Sequence, residues 1–297
     1  MTRSLSIVAA QYAPLEIGSP FARFADQARQ AVASSPGVQM LVFPELHLFH
    51  SALEGLAEMN AALRQAAQPI DGPLDAQFAA LAVELGVWLA PGSICERGPK
   101  GELFNTTVVY SPSGVREAAY RKIFPWRPSE PFDPGDRFVT FDIPGVGRVG
   151  LSICYDAWFP EVMRQLTWDG AEMILNLVKT TTADREHELI LARANAIVNQ
   201  VFMVSVNCAA PVGMGQSLVV GPEGEVRQQV TAATPALLHD LIDFDRVSLV
   251  RERGTCGVNR MWSQFTPTDA PIELPIYGGR IDPRRWRPAG RGPEETR

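Results

Sequence analysis

Three short segments of the 297-residue chain hold reactive side chains where a fold can present them. In Leu41-Val42-Phe43-Pro44-Glu45 an apolar run stops at a proline and a carboxylate follows at once. Functional groups collect at the carboxyl ends of strands in open α/β sheets, which suits Glu45 to proton transfer; a solvated glutamate at a strand end fits the same residues. Residues 120–130 combine Arg121, Lys122, Phe124, Trp126, Arg127, two prolines and Glu130 in a segment without regular period, as in a rigid loop. A lysine among rings loses hydration and needs a carboxylate to stay charged; an exposed Arg-Lys pair over an apolar patch reads equally well. In Gly150-Leu151-Ser152-Ile153-Cys154-Tyr155-Asp156 a strand delivers a thiol to its carboxyl end, and Phe159-Pro160-Glu161 suits a helix start. A thiol at a strand-to-helix turn is presented as at a nucleophile elbow, with the next N–H groups aimed at a developing oxyanion. A buried structural cysteine also fits.

The elements that must position these groups follow from the apolar pattern. Runs at 5–10, 40–43, 87–90, 106–110, 149–153, 173–177, 201–206 and 218–220 are nearly continuous in apolar residues, as in strands covered on both faces. Residues 21–33, 52–67, 75–85 and 184–200 suit helices. Strand and helix alternate, so the class is α/β with a parallel or mixed sheet. Pro-Gly and Ser-Pro turns separate the elements, and none is long enough for an interdomain linker. One domain over 1–276 is expected, followed by an arm or tail at 277–297 rich in Gly, Pro, Arg and Glu.

Composition narrows the function classes. Hydrophobic residues make up 46% and charged residues 20%, as in ordinary globular proteins. A net charge of −6 and the lack of a basic stripe argue against a nucleic-acid partner. The basic clusters near 251–253 and 284–287 sit among Pro and Gly and read as solvated loop or tail. No stretch reaches the roughly 20 apolar residues that span a bilayer, and the first residues lack a signal pattern. A cytoplasmic, reducing location is therefore expected. The four cysteines, at 95, 154, 208 and 256, form no CxxC motif; Cys95, Cys208 and Cys256 read as structural.

Taken in order, the three segments resemble the nitrilase, or carbon–nitrogen hydrolase, superfamily. The resemblance rests on Phe43-Pro44-Glu45, Tyr120-Arg121-Lys122 and Ile153-Cys154-Tyr155-Asp156, and runs from about residue 7 to about 243. Residues 122–130 resemble the aliphatic amidase and formamidase branch, where a second glutamate follows the lysine. Phe104-Asn105-Thr106-Thr107, Phe159-Pro160-Glu161 and Gly215-Gln216-Ser217 are further similarities. The resemblance implies a four-layer αββα sandwich and pairing into a homodimer or larger homo-oligomer.

It also implies a chemistry. Cys154 attacks a small carboxamide, Glu45 is the general base, and Lys122 with the N–H of Tyr155 holds the oxyanion. Ammonia leaves, and water hydrolyses the thioester on Cys154. Glu130 orients Lys122 and the substrate. Trp126, Arg127, Tyr155 and Trp158 are expected to contact the substrate, and no cofactor or metal is needed. An N-carbamoyl amide or a nitrile could meet the same thiol. The ω-amidase-like branch often has arginine where Trp158 stands, so an apolar or compact acyl group is expected, with Arg127 a possible source of charge recognition. A metal hydrolase is the rival, since His47 and His50 follow Glu45, His187 lies between two glutamates, and two histidines plus a carboxylate supply three ligands, though HExxH is absent; His47 and His50 are expected to border the pocket mouth. No GxSxG elbow supports a serine hydrolase.

Overall fold

In the first half of the chain, apolar runs pair into one sheet. The computed structural model describes residues 2–279, apart from 54, 267, 271, 276 and 277. Strands β1 (Ser4–Gln11), β2 (Met40–Val42) and β3 (Trp88–Ala90) are parallel neighbours, and β4 (Ser93–Arg97), β5 (Leu103–Tyr110) and β6 (Arg116–Arg121) extend the sheet antiparallel. The second half builds another sheet: β7 (Thr140–Ile143), β8 (Gly147–Ile153), β9 (Met173–Val178), β10 (Phe202–Asn207), β11 (Leu218–Val220) and β12 (Val226–Gln229) lie side by side in chain order. Its centre, β8–β9–β10, is again parallel. Strand β13 (Ala236–Asp243) then returns to the first sheet, antiparallel to β1 along its length.

Strand alternation sends successive side chains to opposite faces, and both faces are covered. Ile7, Val42 and Trp88 meet Leu151, Leu175 and Val204 in a core between the sheets. On the outer face of the first sheet, Val8, Leu41 and Leu89 pack on α1 (Phe21–Ala33) and α3 (Pro73–Leu85), with α2 (Leu56–Ala66) adding Leu63. On the second, Ile174, Met203 and Leu218 pack on α4 (Pro160–Trp168) and α5 (Arg185–Asn199). The result is an αββα sandwich. Among the described residues no helix is long and apolar enough to cross a membrane.

One expectation is corrected. Residues 251–253 close helix α6 (Phe244–Arg253) instead of lying in a solvated loop. Phe244, Val247 and Val250 recur every three residues and are buried, the Asp243 side chain caps Asp245 N–H, and Arg251 donates to the carbonyl of Ala171 at 2.7 Å. Residues 284–287 and nearly all of the expected arm lie outside the described residues.

Candidate active site

Each of the three chemical groups stands where a strand ends. Glu45 follows β2 by three residues, in a loop fixed by Phe43 N–H on the carbonyl of Ala90 and Leu46 N–H on Ser93 Oγ. Gly92 lets the β3–β4 turn pass beneath this loop. Its φ is +96°, and a Cβ there would lie 2.2 Å from the carbonyl oxygen of Pro44, so any other residue would displace Glu45. Lys122 is the first residue beyond β6, its N–H bonded to the carbonyl of Asn105 at 2.9 Å. Cys154 is the first beyond β8 and opens a 3₁₀ turn, Cys154–Trp158, with φ at +46°. That left-handed conformation costs an L-residue about 1–2 kcal/mol, so the surroundings must hold it.

Asp156 does so. One of its carboxylate oxygens accepts Ile153 N–H at 2.9 Å and Tyr120 O–H at 2.7 Å; the other accepts Phe124 N–H at 2.9 Å. The cysteine turn is thereby tied to both sides of Lys122. The Lys122 ammonium is fully buried and donates to Glu45 Oε1 at 3.1 Å and to the two oxygens of Glu130 at 2.8 and 2.9 Å. Asn105 Nδ2 also donates to Glu45 Oε1, at 2.7 Å, and Trp126 N–H to Glu130. The structure thus brings Glu45, Lys122 and Glu130 into one buried cluster, with the Cys154 turn fastened beside it.

The electrostatics follow from burial and these partners. Burial opposes the charge on Lys122, but Glu45 and Glu130 outweigh it and hold the ammonium well above the ordinary lysine range. Burial pushes the Glu45 carboxyl up, and Lys122 only partly pulls it back. Burial also pushes the Cys154 thiol well above its usual range, with Glu45 adding to the effect and Lys122 opposing it. A neutral thiol beside a carboxylate of raised basicity and a fixed cation suits base-assisted nucleophilic attack on a carbonyl.

Several neighbours escaped the sequence reading. The sulfur of Cys154 lies 3.8 Å from Thr180 Oγ1, whose hydroxyl reaches both oxygens of Glu188 at 2.8 Å, and Arg185 holds Glu188 at 2.9 Å. Thr180 and Lys179 follow an apolar strand as Cys154 does, which was the available signal. Around the turn, Tyr155 meets Phe159 edge-on at 5.3 Å, and Trp158 meets His187 edge-on at 5.9 Å. Trp126 and Arg127 lie farther out, on the surface. His47 does not border a pocket mouth: it is fully buried against Phe24 and Phe43 with Nε2 on Gln27 Oε1 at 2.8 Å. His50 is held through its backbone by Leu15 and Ile17.

Residues 7–252 match the carbon-nitrogen hydrolase family. The chain belongs to that family. A formamidase of Allorhizobium ampelinum is 30% identical over 234 residues, which are 76% of this chain and 66% of that protein. A formamidase of Bacillus thuringiensis is 33% identical over 184 residues, 61% of this chain and 54% of that protein. The chain therefore spans about half to two thirds of the length of these curated relatives. In fold it is similar to Saccharomyces cerevisiae Nit3, a member of branch 10 of the nitrilase superfamily, with a TM-score of 0.74 at 23% identity over 84% of this chain and 94% of that one. An amidase from Nesterenkonia sp., in a Glu-to-Gln variant, superimposes with a TM-score of 0.67 at 23% identity, covering 84% of this chain and 97% of that one; it carries the acetamide moiety of fluoroacetamide covalently on its active-site cysteine.

Proposed function

We propose that this protein is a cysteine-dependent amidohydrolase that converts a small carboxamide to a carboxylic acid and ammonia through a thioester on Cys154. The observation that carries the reading is the buried Lys122 ammonium, shared between Glu45 and Glu130 and tied through Asp156 to the cysteine turn. The names of the formamidase relatives and the adduct on the Nesterenkonia enzyme support it.

In this reading Glu45 takes the thiol proton as sulfur bonds to the amide carbon. The carbonyl oxygen becomes an oxyanion that accepts from Lys122 and from Tyr155 N–H, a group in the first turn with no intrahelical acceptor. Each such donor is typically worth about 2.7–4 kcal/mol. Glu45 returns the proton to nitrogen, the C–N bond breaks, and ammonia leaves. Glu45 then takes a proton from water, whose hydroxide adds to the thioester and expels the Cys154 thiolate, which is reprotonated. Glu130 holds Lys122 in place, and Tyr155, Trp158, Trp126 and Arg127 line the approach. A ureido or nitrile carbon could enter the same sequence. The pairing of chains is part of the proposal: Trp168 on α4 and Ile190, Ile197 and Val198 on α5 leave apolar surface exposed for a second copy.

The test is rapid quenching with short amides, followed by intact-mass and peptide analysis. An acyl mass on the Cys154 peptide, absent in Cys154→Ala along with ammonia release, is expected. Wild-type turnover in Cys154→Ala would remove the thiol from the mechanism.

A further inference from the structure

Lys179 is the first residue beyond β9, whose register with β8 sets Leu177 beside Ile153, so the exits of the two strands are adjacent. Alternation separates the two residues at this exit. Thr180 turns toward α5, where Glu188 takes its hydroxyl. Lys179 shares the parity of Leu175 and Leu177, which face the first sheet. Its charge interacts with Cys208, Glu45, Cys95 and Glu130, and is felt by His47 and His50. The side chain therefore leaves the strand on the face turned to the first sheet, within electrostatic reach of Glu45 and Glu130 and outside the Lys122 ion cluster.

Unlike Lys122, Lys179 has no carboxylate within ion-pair distance and no side-chain hydrogen bond among the described residues. It is half-buried, and burial pulls its ammonium below the ordinary lysine range. A partly desolvated cation without a counter-ion destabilises a fold. Such unfavourable placements recur at sites that work on a ligand, and here a ligand anion would supply the missing charge.

We infer that Lys179 anchors a carboxylate on the substrate, so that the site prefers amides bearing a second, anionic end, such as the monoamides of short dicarboxylic acids. The inference rests on the amidohydrolase reading. It also revises the expectation drawn from Trp158: the cation missing at that position is supplied from the neighbouring strand. A carboxylate near a hydrolysable carbonyl occurs both in a dicarboxylate monoamide and in an N-carbamoyl amino acid, and the test separates them.

Ammonia release is measured for succinamate against its neutral isostere 4-methylpentanamide, and for N-carbamoylglycine against a neutral alkylurea of matched length. In the wild type the anionic member of a pair is expected to have at least about tenfold higher kcat/KM, mainly through KM. Lys179→Met should collapse that ratio toward one and Lys179→Arg should restore part of it. Succinate should compete in the wild type more strongly than in Lys179→Met, a comparison that needs binding alone. Preference within the amide pair supports both readings. Preference within the urea pair only supports Lys179 as the anchor and overturns the carboxamide. Turnover of neutral amides with no preference for anionic ones, or a ratio unchanged in Lys179→Met, overturns the Lys179 assignment and leaves the amidohydrolase standing. Absence of release from every compound overturns both.

Discussion

The sulfur of Cys154 lies 3.8 Å from Thr180 Oγ1, an oxygen whose hydroxyl hydrogen is already directed at Glu188. A threonine hydroxyl has one hydrogen and two lone pairs. With Glu188 accepting that hydrogen, Thr180 can only accept from the thiol. The resting S–H is thus steered by Thr180, and in the proposed reaction Glu45 takes the proton when the substrate arrives. Thr180→Val keeps the shape and removes the acceptor. That bond belongs to the resting thiol and is given up when the proton leaves, so losing about 1 kcal/mol of it should raise kcat by up to roughly fivefold, with KM little changed and iodoacetamide labelling of Cys154 altered. Unchanged kcat and labelling would show that the contact is packing alone.

The proposed base, Glu45, must be ionised to work, and it is harder to ionise than an exposed glutamate. Burial raises its pKa more than Lys122 lowers it. Activity should therefore be present above that raised value and lost as pH falls through it, placing the acid limb of kcat/KM above the ordinary glutamate value of about 4.3. Asn105 donates to the ionised form at 2.7 Å and holds the pKa down. Asn105→Leu should move the acid limb further up. A limb that stays in place in this variant would assign the titration to another group.

How much of this could be read from residues alone depended on where the signal resided. The central strands showed themselves because residues such as Ile7, Val8 and Ala9 are apolar on both faces. Edge strands did not: Val226–Gln229 is exposed throughout, and Arg116–Arg121 mixes charge with alanine. Nor could period distinguish a strand covered by two helical layers from one covered by a helix and a sheet; the sandwich came from the family resemblance. Lys122 drew notice through the rings and carboxylate of its segment, and Glu45 and Cys154 because each terminates an apolar run. Thr180 and Lys179 do the same, but what sets them beside the cysteine turn is the β8–β9 register, a relation between distant residues. His47 was misplaced because its proximity to Glu45 along the chain says nothing of Phe24 and Gln27, which draw its ring into the helical layer.

Lys122 carries structural as well as chemical weight. Removing it leaves Glu45 and Glu130 facing each other with no cation between them. Breaking a buried pair typically costs about 3–5 kcal/mol, so Lys122→Met should lower Tm by several degrees besides reducing kcat more than it raises KM. Lower pH should recover part of the lost stability, because protonating one carboxylate relieves the repulsion, and Glu130→Gln in the same background should mimic that recovery. If Tm is unchanged, the carboxylates do not depend on the ammonium in the way the distances imply; if only KM changes, Lys122 belongs to substrate binding.

His47 sets a second pH dependence, one of stability. Its Nε2 is bonded to Gln27, its buried Nδ1 has no partner, and burial with the nearby Lys179 charge pulls its pKa down to about 3. The unfolded chain takes up a proton near pH 6.5, whereas the folded one resists until about pH 3. Between those values the unfolded state binds more protons, so folded stability is full above pH 6.5 and declines as pH falls. The slope approaches about 1.4 kcal/mol per pH unit from this group alone. His47→Phe keeps an aromatic ring against Phe24 and Phe43 and removes the titration. Urea unfolding at pH 7.5 and pH 5 should show the wild type losing about 2 kcal/mol more than the variant over that interval. Equal losses would mean that His47 can take its proton without opening the fold.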